Sequence, residues 1–103
     1  MTTTKKLRGI WTALVTPFNE DGSVDVKAFE GLVNAQLDAG IHGLVPCGTT
    51  GETSTLSESE QDLVITTTLA TVKGKVPVVA GAGANDTKKA IENHKRVDRK
   101  SVV

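Results

Sequence analysis

Gly43-Leu44-Val45-Pro46-Cys47-Gly48-Thr49-Thr50-Gly51-Glu52 reads as a short apolar strand running into a glycine-bracketed pair of hydroxyl residues and a carboxylate. A helix start follows at Ser57, where Glu60 completes a capping box in which each side chain satisfies an otherwise orphan backbone N–H. Strand, loop and helix in that order make one βα unit. Within the loop, Gly48 and Gly51 permit positive φ and close approach of a ligand to the backbone. The successive amides of Thr49 and Thr50 can then point into one concavity that suits a carboxylate or a phosphate.

The same unit recurs on both sides of this stretch. Upstream, Gly9 to Val15 is a nearly continuous apolar run closed by Thr16-Pro17, as expected of a strand buried on both faces. Asp21-Gly22 marks a turn, Asp25 is a candidate N-cap, and Val26, Phe29, Leu32, Val33 and Leu37 share one helical face before Ala39-Gly40 stops the helix. Downstream, Thr66-Thr67-Thr68 weakens the middle of the second helix and Gly74 is its expected end. Val76-Pro77-Val78-Val79-Ala80 is a third apolar run. It closes on Gly81-Ala82-Gly83, and Asn85-Asp86 offers a cap for a third helix carrying Ala90, Ile91, His94 and Val97. Apolar strands alternating with helices imply right-handed crossovers and a parallel sheet, so the class is α/β.

A closed (β/α)8 barrel and a doubly wound open sheet both begin in this way. In either, ligands bind where strands end and helices begin, which puts Thr16, Gly48 to Glu52, and Gly81 to Asn85 on one rim. A barrel needs roughly 250 residues. With 103 residues the chain would supply its first three units and could not close it.

Twelve Lys and Arg balance twelve Asp and Glu, so no excess positive field exists to gather nucleic acid or an anionic membrane, and neither is an expected partner. The opening Met1-Thr2-Thr3-Thr4-Lys5-Lys6 leads into no apolar signal segment, and no run approaches the roughly 18 apolar residues of a spanning helix. The protein reads as cytoplasmic. The single Cys47 fits a reducing compartment and reads as a small buried side chain at a strand end, since no histidine adjoins it to make it a nucleophile. His42 and His94 show no metal-ligand spacing, and neither metal nor organic cofactor is expected. Glu52 stands beside a helix start and reads as a structural cap or backbone acceptor. Gly81-Ala82-Gly83-Ala84-Asn85 lacks the third glycine and the acidic ribose partner of a dinucleotide fingerprint, so Gly83 and Asn85 read as a tight turn.

Three stations in register resemble one family. They are Ala13-Leu14-Val15-Thr16-Pro17-Phe18, then Gly43 to Glu52 with Glu60 following, then Pro77-Val78-Val79-Ala80-Gly81-Ala82-Gly83-Ala84-Asn85. The family is that of the class I, pyruvate-dependent aldolases and lyases, which includes dihydrodipicolinate synthase (4-hydroxy-tetrahydrodipicolinate synthase) and N-acetylneuraminate lyase. The resemblance implies a TIM barrel in which a lysine on a later strand forms a Schiff base with pyruvate. It implies that Thr50, with the neighbouring amides and Gly48, holds the pyruvate carboxylate, and that the Thr49 hydroxyl joins a proton relay with two tyrosines. It also implies a homo-oligomer, dimer or tetramer, using pyruvate and a small aldehyde.

The chain contains no tyrosine, and Lys73, Lys75, Lys88 and Lys89 match no catalytic position of the family, so the chain by itself is expected to be inactive. The Thr-Thr pair resembles the synthase that condenses pyruvate with L-aspartate 4-semialdehyde in lysine and diaminopimelate biosynthesis more than the sialate lyase, where Ser-Thr is commoner. Family members inhibited by lysine bind it at positions matching Glu58, Gln61 and Lys89; the cationic Lys89 would repel the effector, so no feedback inhibition is expected. The resemblance runs to Val97. Residues 98–103, Asp-Arg-Lys-Ser-Val-Val, resemble a translated sequencing adapter and read as a non-native tail behind a domain of residues 1–97.

Other readings of the same loops remain open on the residues alone. Thr49 and Thr50 could serve as local caps of an ordinary βα loop. The glycine loops could equally belong to a phosphate- or nucleotide-binding α/β module without covalent chemistry. A stretch ending in an open three-stranded sheet could also have no function of its own, because its apolar edges invite aggregation.

Overall fold

The computed structural model describes residues 9–81 and, beyond them, Lys88, Ile91, Glu92 and Lys95. Strand β1 (Trp11–Ala13) leads to helix α1 (Val26–Asp38), strand β2 (Gly43–Val45) and helix α2 (Glu58–Val72), with two single 3-10 turns, Thr49–Gly51 and Thr53–Thr55, between β2 and α2. β1 and β2 are parallel, with Trp11 opposite Gly43 and Ala13 opposite Val45. The third apolar run reduces to one parallel bridge, Leu44 with Val78, on the other edge of β2. Three bonds hold it there: Leu44 N–H to Pro77 O (3.2 Å), Val79 N–H to Leu44 O (3.0 Å) and Gly81 N–H to Pro46 O (2.9 Å). The described sheet is therefore open, and β2 lies at its centre.

The helix ends follow the sequence signals. Asp25 accepts from Ala28 N–H at 3.0 Å. The capping box is complete, with Glu60 N–H donating to Ser57 Oγ at 3.1 Å and Ser57 N–H to Glu60 Oε1 at 2.8 Å. At the other end of α1, Gly40 takes φ +83°. Gly40 N–H bonds Leu37 O and Ile41 N–H bonds Gln36 O, a Schellman closure that also brings Ile41 onto the core. α2 ends one residue before expectation: Lys73, not Gly74, is the first left-handed residue, at φ 52°. The three threonines do not interrupt α2. Thr68 is fully buried and its hydroxyl donates to Val64 O at 2.8 Å, while the half-buried Thr71 donates to Thr67 O at 2.7 Å, so both hydroxyls are satisfied inside their own helix.

The core lies between the helices and one face of the sheet. Phe29 and Val33 of α1 meet Val64, Ile65 and Val72 of α2 over Leu14, Leu44 and Val78. Val26, Leu32 and Leu37 flank it, so the expected face of α1 is the observed one. Each fully buried apolar side chain contributes roughly 1.5–3 kcal/mol.

The first strand is not buried on both faces. Leu14 and Thr16 are inside, whereas Ala13 and Val15 on the alternate side are exposed, Val15 to 51%, because β1 has a strand neighbour on one edge only and helices on one face only. Two close approaches seat it. The Trp11 indole occupies the space a Cβ on Gly43 would need, and the His42 ring does the same at Gly9. Ile10 N–H donates to His42 Nδ1 at 2.9 Å, and His42 N–H to Ile10 O at 3.0 Å, which makes His42 a packing residue.

In the turn after β1, Gly22 takes φ +91° and Asp21 Oδ1 accepts from both Ser23 N–H and Ser23 Oγ. The Ser23 hydroxyl bond, then its amide bond, holds the Asp21 carboxyl below its usual range. No helix among the described residues is long and apolar enough to cross a membrane. The expected third-helix residues Ala90, His94 and Val97, its Asn85-Asp86 cap and the tail at 98–103 lie outside the described residues. Lys88, Ile91, Glu92 and Lys95 are helical.

Candidate functional site

The chain leaves β2 through Pro46 and Cys47 and folds at once into the Thr49–Gly51 turn. Gly48 precedes that turn with φ −81° and ψ −174°, an ordinary extended conformation. Gly51 is not left-handed either; the positive φ values fall on Cys47 (58°) and Glu52 (60°), one at each side of the glycine pair. The expectation that the glycines supply the left-handed backbone is therefore corrected. At Gly51 the requirement is space: a Cβ there would meet Leu14 O at 3.0 Å and Thr16 Oγ1 at 3.2 Å. Gly48 has room, its nearest neighbour being Val45 Cγ1 at 3.7 Å.

The turn is closed by Gly51 N–H to Gly48 O and Glu52 N–H to Thr49 O, both 3.0 Å. Neither bond uses the amides of Thr49 and Thr50, which as the first donors of a helical turn have no partner among the described residues. Both threonines are exposed, and no side chain caps the turn, so their hydroxyls are not spent as local caps. Among the described residues these two amides and two hydroxyls have no partner, and at a strand's C-terminal end all four can donate to an anionic oxygen pair.

Glu52 serves through its backbone. Its amide closes the first 3-10 turn and its carbonyl accepts from Thr55 N–H (3.0 Å) and Thr55 Oγ1 (2.9 Å). Its carboxylate caps neither turn, so among the described residues the bonds of Glu52 are those of its backbone.

Three neighbours fix the loop. Thr16, 4% exposed, donates from Oγ1 to Gly51 O at 2.8 Å. Gly81 donates to Pro46 O and packs so tightly that a Cβ would overlap the Cys47 carbonyl. Gln61 Nε2 donates to Thr53 O at 3.2 Å and Leu56 O at 3.4 Å, tying the following turn to α2. The structure thus gathers Thr16, Gly48 to Glu52 and Gly81 on one rim. Gly83, Asn85 and Lys89 lie outside the described residues. The fastening roles of Thr16 and Gln61 were missed from sequence, since each depends on a contact to a distant carbonyl that no local pattern announces.

Cys47 is 1% exposed and its thiol donates to Gln61 O at 3.7 Å, a packed side chain at a strand end as expected. Among the described residues no group of three His, Cys, Asp or Glu could hold a metal ion.

Comparison with known proteins agrees with this geometry. Residues 6–102 match the model of the Dihydrodipicolinate synthetase family. The 4-hydroxy-tetrahydrodipicolinate synthase of Koribacter versatilis (strain Ellin345) is 56% identical over 92 residues, 89% of this chain and 31% of that protein. The enzyme of the same name from Bradyrhizobium diazoefficiens is 58% identical over 87 residues, 84% of this chain and 29% of that protein. The crystal structure of the chloride-inhibited dihydrodipicolinate synthase from Acinetobacter baumannii, complexed with pyruvate, superposes with TM-score 0.91 at 39% identity over 94% of this chain and 33% of that one. The chain spans about a third of the length of the curated relatives it matches. By the family match and these likenesses, the chain belongs to the dihydrodipicolinate synthetase family.

Proposed function

We propose that this chain is the amino-terminal part of a 4-hydroxy-tetrahydrodipicolinate synthase, a cytoplasmic Schiff-base lyase condensing pyruvate with L-aspartate 4-semialdehyde. In this reading β1, β2 and the Val78 run are the first three staves of a (β/α)8 barrel. The Thr49–Gly51 turn holds the acid end of pyruvate: the Thr50 hydroxyl and the neighbouring amides, with Gly48 leaving the approach open, bind the carboxylate. The Thr49 hydroxyl passes a proton.

The single observation behind this reading is the pair of threonine amides that have no partner among the described residues, exposed together at the C-terminal end of β2 in a loop fastened on three sides. Donors fixed in advance bind a carboxylate without the cost of ordering them, and charge-assisted bonds are the stronger kind. The ketone carbon is attacked by a lysine amine that this chain does not supply, with loss of water to the imine; the tyrosines of the relay are likewise supplied from outside it. The aspartate semialdehyde preference rests on the Thr49-Thr50 pair in place of the Ser-Thr of sialate lyases.

Borohydride reduction of the full-length protein in the presence of labelled pyruvate tests the reading. One lysine becomes labelled, and Thr50→Ala lowers the labelling at limiting pyruvate. Absence of label would leave a non-covalent anion-binding module as the better account.

A further inference from the structure

Two polar side chains are buried among the described residues, Thr16 and Thr68. The Thr68 hydroxyl is spent within its own helix on Val64 O. The Thr16 hydroxyl instead crosses 35 residues of sequence to the Gly51 carbonyl, at 2.8 Å. A valine would fill the same volume without bringing a hydroxyl to be desolvated, so what Thr16 adds to the packing is this one bond.

Gly51 is the last residue of the turn that carries Thr49 and Thr50, and its own amide closes that turn on Gly48 O. Gly51 is pressed against Leu14 O as well, so the turn meets the exit of β1 at a single residue with no side chain to cushion it. Loss of the Thr16 bond leaves a buried carbonyl unsatisfied and frees the turn to tilt, and the two threonine amides tilt with it.

We propose that Thr16 is a positioning residue for the anion grip: its hydroxyl, by holding the Gly51 carbonyl, sets the direction of the Thr49 and Thr50 amides and so the affinity for the carboxylate of the keto-acid. This rests on the reading of the site given above. Thr16 touches no substrate; it acts through Gly51.

The test uses the full-length protein, with kcat and the KM of each substrate measured for Thr16→Val and Thr16→Ser. Thr16→Val raises the KM for pyruvate about tenfold, the size that loss of one buried hydrogen bond implies. Its kcat at saturating pyruvate and its KM for the aldehyde stay near wild type, and Thr16→Ser, which keeps the hydroxyl, restores the pyruvate KM. A purely structural role would lower kcat and the active fraction together and leave both KM values alone. An unchanged pyruvate KM in Thr16→Val, or an equal rise in Thr16→Ser, overturns the proposal. Should Thr16→Val fail to fold, Thr16→Cys decides, because against Thr16→Ser it differs only in replacing the hydroxyl with a weaker donor: a pyruvate KM raised above that of Thr16→Ser supports the proposal and an equal one overturns it. A wild-type protein that borohydride never links to pyruvate overturns the reading of the site and this proposal with it. Trapping with unaltered KM values in the variants overturns the proposal alone.

Discussion

At the scale of single residues, the candidate site depends less on which residues could touch a ligand than on which leave room for others. Gly81 and Gly48 make the contrast. A Cβ at Gly81 overlaps the Cys47 carbonyl, which is backbone and cannot rotate away, whereas a Cβ at Gly48 finds only Val45 Cγ1 at 3.7 Å. Gly81→Ala should therefore destabilise the fold by more than about 2 kcal/mol, the range of strained backbone sites, and Gly48→Ala by less than about 1 kcal/mol. Urea unfolding followed by circular dichroism separates the two, and equal midpoints would contradict the packing described. The Gly-Thr-Thr-Gly-Glu pattern located the loop and its two threonines from sequence. It misassigned the backbone conformations, because the left-handed positions are dictated by how Pro46 and Gly81 are bonded across the sheet and by how Thr55 folds back on Glu52, none of which is a local preference.

Elements with local determinants were legible, and those depending on distant partners were not. Asp25, Ser57 with Glu60, and Ala39-Gly40 fixed three helix ends because caps are made within a few residues of where they act. The third apolar run has strong strand composition but forms a single bridge, since a strand's length depends on its neighbours as much as on itself. α2 ends on Lys73 in the left-handed region, where a Cβ costs roughly 1 kcal/mol. Lys73→Gly should raise the stability of α2 by about 0.5–1 kcal/mol, read as a higher thermal midpoint with unchanged helix content. A lower midpoint would mean that the lysine side chain contributes more to the helix end than the backbone loses.

For the whole molecule, the decisive fact is that helices cover one face of the described sheet and nothing described covers the other. On that uncovered side Ala13 of β1 and Val15 just after it stand exposed, Val15 at 51%. In a barrel such residues would face inward. On its own the chain should associate through this face. Val15→Thr should lower concentration-dependent light scattering severalfold without loss of helical signal, since large exposed apolar patches drive association. Equal scattering from both proteins would place the sticky surface elsewhere, with exposed Leu63 on α2 the next candidate. The α/β class was readable because the alternation of strand and helix is written into the chain three times. The uneven burial of β1 was not, because composition records what a strand can bury and not which of its sides has a neighbour.

The two left-handed residues that flank the threonine turn, Cys47 and Glu52, also lock its register. Sliding the loop back by one residue would ask Pro46 for a positive φ that its ring forbids. Sliding it forward would ask the same of Thr53, whose branched Cβ makes that conformation an outlier. The loop can therefore neither gain nor lose a residue by creeping along the chain, and single-residue insertions or deletions between these pivots should be purged from any lineage that keeps the grip.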